Sequence, residues 1–291
     1  MRVTTEDGVG LHVEVVGSGP DILFLHEFSG SHISWEPQVR HFARRYRCIT
    51  FSARGFRPSD VPEDPRRYSQ GRAVADAVAV LDALGSSRAH VVGISMGGFT
   101  ALNLAVSHPD RVRSTVAASC GYGAGTAHEV FVAECNEIAA LIRERGCEEL
   151  AELTATSPYR LAFAAKDPHG FAEWKAALAA QDPTGLANTV QGVQRTRPTL
   201  LELADQLSAG STPILLLVGD EDEPLIDATV AMKRRCPTAG LCVLPKAAHT
   251  LNLEEPEKFN QALSEFFAWC DAGTWPRRDP RSQTAGGGWM R

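Results

Sequence analysis

The amino-acid sequence predicts an α/β fold: a mostly parallel β-sheet flanked by helices, with a helical segment inserted before its last strands. Three observations carry this. Apolar runs of strand length alternate with helically spaced segments over the first 120 residues. From Gly121 to Leu207, roughly eighty residues, the text is helical and rich in Ala, Glu and Arg. The strand pattern then resumes at Pro213. With 291 residues the chain is long enough to bury a sizeable core in one large unit.

Each element has its own warrant. "LHVEVV" (11–16) alternates as a half-buried strand, and "DILFLH" (21–26) is a continuous apolar run of the kind a sheet covered on both faces demands. The same pattern recurs in "RCITFS" (47–52), "AHVVGI" (89–94), "RSTVAAS" (113–119), "PILLLVG" (213–219) and "GLCVLP" (240–245). Helical spacing marks 37–45, 71–84, 97–108 and 256–270, each ending near Gly, Pro or a polar cluster. This divides the chain into a core of 1–120 and 208–270, a helical insertion over 121–207, and a Gly, Pro and Arg-rich tail over 271–291. The tail reads as an extended or mobile arm on which Trp275 and Trp289 offer docking points.

Composition excludes several functions. Lys and Arg total 29 against 35 Asp and Glu, a net charge of −6 without a basic block before the tail, so nucleic acid is not an expected partner. Seven scattered cysteines without a C-x-x-C pair suggest reduced, mostly buried thiols rather than a zinc site or a disulfide framework. The N-terminus has no apolar leader, and no run approaches the length of a spanning helix. A soluble cytoplasmic protein with a small-molecule substrate and no membrane partner is expected. Its oligomeric state, a homodimer included, is not readable.

The stretch "HVVGISMGGFTALNLA" (90–105) carries the chemistry. An apolar strand stops at Gly93-Ile94-Ser95-Met96-Gly97 and becomes a helix at once. G-x-S-x-G between a strand and a helix is a nucleophile elbow, whose sharp turn exposes a serine hydroxyl above the sheet edge. Ser95 is the candidate nucleophile. A serine needs a base, and the base needs a group that orients it. After "PILLLVG" comes the acidic "DEDEPL", and after "GLCVLP" comes "KAAHTLNLEEP", which places His249 in the loop beyond the last strand. The order serine, acid, histidine results.

These separated motifs resemble the α/β-hydrolase fold superfamily over residues 10–270, in particular its cap-bearing serine esterases, enol-lactonases and carbon-carbon bond hydrolases. The resemblance implies an eight-stranded sheet with 121–207 as the cap. Its G-x-x-D pattern falls on Asp222, leaving Asp220, Glu221 and Glu223 as solvated loop charges. It implies an oxyanion hole from the backbone N–H of Met96, just after the nucleophile, and of Phe28, in His26-Glu27-Phe28. Glycine is usual where Glu27 stands; either Glu27 faces outward beside a normal oxyanion hole, or it contacts substrate or a cap residue. "FSARGFRPSD" (51–60) departs from D-x-R-G-x-G-x-S at Ser52 and Arg57-Pro58 and reads as a structural turn held by Arg54. Trp35 reads as a core aromatic.

A serine at the elbow implies acyl transfer: attack of Ser95 on an ester or lactone carbonyl, proton uptake by His249, and hydrolysis of the acyl-enzyme, with no metal or organic cofactor required. The cap offers Tyr159, Phe163, Phe171 and Trp174 as apolar substrate contacts, and Arg160, Lys166 and Arg195 to meet a carboxylate. Carbon-carbon cleavage of a diketone-like compound by the same triad is the alternative. A receptor-like binding protein with little turnover is the alternative of another class.

Overall fold

The apolar runs become strands whose two faces are both covered. The computed structural model describes residues 1–121 and 128–282. Its sheet has eight strands: β1 (Arg2–Thr4), β2 (Gly10–Val16), β3 (Asp21–Leu25), β4 (Arg47–Phe51), β5 (Ala89–Ile94), β6 (Val112–Ala118), β7 (Ile214–Gly219) and β8 (Ala239–Leu244). Their order is β1-β2-β4-β3-β5-β6-β7-β8. β2 runs antiparallel to both neighbours, and every later pairing is parallel. β1 is the strand without a sequence signal, because of its three residues only Val3 is buried, too short a run for a period to show.

Alternation along the strands feeds two cores. Leu23 and Leu25 of β3, Val91 of β5 and Leu216 of β7 face one side, whereas Ile22, Phe24, Val92, Ile94, Leu215 and Leu217 face the other. Each such side chain contributes about 1.5–3 kcal/mol by leaving water. Helices α1 (Glu36–Phe42), α2 (Gln70–Ala83) and α3 (Met96–Ser107) fall where the periodicity puts them. α2 and α3 pack on the first core, and α1 packs on the second beside Trp35, whose ring lies 5.0 Å from Phe24.

Between β6 and β7 come α4 (His128–Ala155), α5 (Leu161–Lys166), α6 (Pro168–Ala179), α7 (Pro183–Thr189) and α8 (Leu200–Leu207), with no strand among the described residues. α4 breaks at Gly146, where φ is 80°. Residues of α4 to α7 form a third core that also takes in Phe56, Tyr68 and Met96 from loops and a helix of the sheet. α8 does not join it. Leu200, Leu203, Ala204 and Leu207, one stripe at i, i+3, i+4 and i+7, pack in the first core, so the overlying layer stops before residue 200 rather than at 207. The expected start of the insertion falls on 122–127, outside the described residues.

After β7 follow α9 (Glu223–Arg235), α10 (Leu251–Glu254) and α11 (Pro256–Asp271). The tail is docked as far as it is described. Trp275 Nε1 donates to the Thr238 carbonyl at 2.8 Å, its ring lies 4.7 Å from Phe266, and Arg277 reaches the carbonyls of Ser208 and Gly210. Trp289 lies outside the described residues. No described helix is long and apolar enough to cross a membrane. All seven cysteines are free, and five are buried.

Buried polar groups are tied in pairs. Arg54 is 3% exposed and grips Asp76 at 2.6 Å and Asp7 at 3.0 Å, which makes the 51–60 turn a structural brace. His90 is fully buried between Ser114 Oγ at 2.7 Å and Asp271 at 3.1 Å. Burial pulls its pKa down to about 4, outweighing the attraction of Asp271. An unfolded histidine titrates near 6.5, so the unfolded chain binds the extra proton first. The His90 contribution is therefore fully present above pH 6.5 and is lost as pH falls toward 4, by on the order of 1–3 kcal/mol. Urea unfolding at steps of pH will show a shallower acid-side loss for His90→Asn than for the wild type; parallel profiles would rule this assignment out.

Candidate active site

Where β5 ends, the backbone turns so tightly that side chains do not fit. A Cβ on Gly93 would lie 2.1 Å from the Gly97 carbonyl oxygen, and one on Gly97 would lie 2.0 Å from the Leu25 carbonyl oxygen. Between them Ser95 takes φ 52° and ψ −115°, a conformation that costs a non-glycine residue on the order of 1–3 kcal/mol. Its amide donates to the Ala118 carbonyl at 2.8 Å, anchoring the turn to the end of β6. Met96 opens α3, so its N–H belongs to the first helical turn, where amides have no intrahelical acceptor and the helix dipole favours negative charge.

The acid and the histidine arrive from the next two strand ends. Asp222 is 2% exposed at the start of α9, and its Oδ2 lies 2.9 Å from His249 Nδ1. The loop holding His249 is braced by a residue absent from the sequence reading. Glu254, also buried, accepts the amides of Ala248 at 2.6 Å and Thr250 at 2.9 Å, fixing the backbone on both sides of the histidine. Burial raises the Glu254 pKa, and those two amides only partly offset it. The acid in "HTLNLEE" was the one available signal, and no spacing rule attaches to it.

The loop after β3 carries Glu27 and Phe28. His26 braces it from within, with Nδ1 at 2.7 Å from the Glu27 carbonyl and Nε2 at 3.0 Å from the Ala53 amide. A carbonyl only accepts and an amide only donates, so the ring is the neutral Nδ1–H form, and burial draws its pKa down to about 4. Glu27 is 3% exposed and faces the overlying helices. Its Oε2 lies 2.6 Å from Arg160 Nη2, and Arg160 also reaches Ser29 Oγ at 2.7 Å and the Thr250 hydroxyl. Burial pushes the Glu27 carboxyl up, but the Arg160 guanidinium outweighs it and holds the group below its usual range. Glu27 thus meets a residue of the inserted segment, and its Oε2 also lies 4.0 Å from His249 Nε2. Glu is tolerated here because no left-handed backbone is needed: among described non-glycine residues only Ser95, Ser119 and Lys246 have positive φ.

One solvent-open cavity collects Ser95, Asp222, His249, Glu27, Phe28, Tyr159 and Arg160. The Tyr159 ring lies 5.7 Å from that of His249. Phe163 and Trp174, expected at the substrate, do not line it; they are 1% and 6% exposed within the third core, with Phe171 beside them. Their rings lie 6.3 Å apart, and Trp174 stacks on the back of Arg160 at 4.7 Å, so these aromatics support the cavity wall without forming it. The Met96 side chain lies outside it, and Lys166 is engaged with Glu255 at 2.5 Å. Arg195 is not on the wall either. Arg197, two residues on, is: its guanidinium lies 3.7 Å from the Phe99 ring centroid and 4.5 Å from that of Phe131, and burial lowers its pKa to about 10. Its position follows from the π-helical turn Val190–Gln194, which sequence spacing does not announce.

Replacing Arg160 by Met leaves Glu27 buried without its counter-ion and will destabilise the fold by about 3–5 kcal/mol. Adding Glu27→Gln to Arg160→Met will recover most of that loss. Denaturant midpoints of the two single variants and the double variant check this, since additive losses would mean that the two residues are not coupled.

Residues 20–256 match the family model described as alpha/beta hydrolase fold. The chain is 28% identical over 271 residues to 3-oxoadipate enol-lactonase 1 of Acinetobacter baylyi, covering 91% of this chain and 96% of that one. It is 26% identical to a putative 2-succinyl-6-hydroxy-2,4-cyclohexadiene-1-carboxylate synthase of Bacillus subtilis, covering 91% and 97%. Among solved structures, a thermophilic esterase from Thermogutta terrifontis superposes with a TM-score of 0.81 at 25% identity, over 93% of this chain and 98% of that one. Sheet order, elbow and family match agree: the chain belongs to the alpha/beta hydrolase fold family.

Proposed function

We propose that this protein hydrolyses an ester or lactone of a small to medium acyl compound through an acyl-enzyme on Ser95. The observation that carries the proposal is the pairing of His249 Nδ1 with Asp222 at 2.9 Å in the cavity that Ser95 also lines. A carboxylate at Nδ1 fixes the proton there, which leaves Nε2 free to take the serine proton. Ser95 attacks the carbonyl, the Met96 and Phe28 amides receive the charge on its oxygen, and His249 returns the proton to the leaving alcohol. Water activated by the same imidazole then releases the acid. α4 to α7 act as the cap over this site. The 3-oxoadipate enol-lactonase and the esterase among the relatives support an ester or lactone as substrate. So does the wall, where Ile138, Leu150, Leu178 and Val190 supply apolar surface beside the polar groups of the site.

Steady-state hydrolysis of p-nitrophenyl esters from acetate to decanoate tests the proposal. Wild-type turnover will peak at one chain length, and Ser95→Ala will lower kcat by about 10⁴-fold or more. Turnover that survives Ser95→Ala, or its absence from the wild type across esters and lactones, would refute it.

A further inference from the structure

Outside the cavity the sheet carries a cluster the hydrolytic reading does not use. His12 and Glu14 stand two residues apart on β2, an interval that puts both side chains on one face. The 3₁₀ turn His32–Trp35, which follows the Glu27 loop, brings His32 to the same place. His12 Nε2 lies 3.3 Å and His32 Nε2 lies 3.4 Å from one oxygen, Glu14 Oε1, and candidate ligand atoms of all three residues fall within 4.8 Å of one another. A tetrahedral zinc with ligands at about 2.0–2.1 Å has ligand-to-ligand edges of about 3.3–3.4 Å.

The support behind His32 is already built. Its Nδ1 lies 2.9 Å from Ser52 Oγ, which is fully buried and also accepts from the His32 amide at 3.4 Å. This contact holds the ring with Nε2 facing Glu14. Both imidazole Nε2 atoms thus face one carboxylate oxygen. An outer partner of this kind fixes tautomer and ring orientation at metal sites. Ser52 is also the residue that departs from the D-x-R-G-x-G-x-S pattern, so the departure has a place in the structure.

We propose that His12, Glu14 and His32 bind one divalent transition-metal ion of the zinc class, with water in the fourth position. None of the three lines the Ser95 cavity. The ion ties β2 to the turn after the Glu27 loop, and its effect is on stability, not on hydrolysis.

Tag-free full-length protein, dialysed against EDTA and then against buffer, is titrated calorimetrically with zinc chloride alone. One ion binds per chain, and at a hundredfold excess over Kd the Tm rises by about 5 °C. Glu14→Gln, in which the altered side chain is 52% exposed and folding is spared, weakens binding at least about tenfold, as does His12→Ala, and both keep the wild-type kcat/KM for esters. The cobalt complex of the wild type shows the intense visible bands of a tetrahedral ion, and that of His12→Ala does not. Absence of saturable binding, or an affinity unchanged in both variants, overturns the proposal.

Discussion

The closeness of three backbone segments at the end of β5 governs the rest of the molecule. Gly93 and Gly97 exist because the Gly97 and Leu25 carbonyls occupy the space of a Cβ, and that contact sets the angle at which α3 leaves the sheet. A helix leaving at that angle is buried on nearly every side, which accounts for "MGGFTALNLAVS" being apolar all round rather than on one stripe. The same geometry places Ser95, the Met96 amide and the helix N-terminus at one point. The strain at Ser95 persists because β6 and the sheet around it over-determine the turn.

A second constraint is electrostatic. Glu27 and Arg160 are each 3% exposed, and charges so buried persist only when paired and hydrogen-bonded. Ser29, Thr250 and the Trp174 ring supply further contacts, and the buried Arg160 Nε alone is left without a hydrogen bond. The pair joins the loop after β3 to the turn before α5, so α4 to α7 are tied to that loop by a charge contact as well as by apolar packing. Glu254 does the corresponding work for the His249 loop through backbone amides.

The fold was legible because its signals are local. Strands buried on both faces read as apolar runs, and the elbow combines a strand end, two glycines and a helix start within a few residues. Asp222 and His249 were legible through chain order and spacing, and the structure places them 2.9 Å apart. Contacts made across the insertion were not. Phe163 and Trp174 look like binding aromatics in sequence, yet an apolar helix face serves a core as readily as a ligand, and here it serves the core. Arg197 is buried and lines the cavity whereas Arg195, two residues earlier, does not, and the π-helical turn before them resets the helical phase. α8 was grouped with the insertion by composition, whereas its stripe of leucines belongs to the sheet. The His12, Glu14 and His32 cluster depends on a strand meeting a turn, which no local spacing encodes.

The Glu27 carboxylate bears on the proposed reaction with opposite signs at two places. As His249 takes the serine proton it becomes a cation with Asp222 at Nδ1 and Glu27 4.0 Å from Nε2, and both carboxylates favour that state. The developing oxyanion, next to the Phe28 amide, is disfavoured by the same Glu27 charge. Two unit charges about 4–6 Å apart at an effective dielectric near 20 interact by roughly 3–4 kcal/mol, enough to cancel one oxyanion-hole donor. Arg160, at 2.6 Å, turns the Glu27 charge into a dipole whose positive end lies on the cap side, so the repulsion is largely neutralised. The imidazolium keeps Asp222 as its own unshared partner. Pairing with Arg160 is thus what makes an acidic residue compatible with a loop where glycine is usual, and it couples the electrostatics of the site to the seating of the turn before α5.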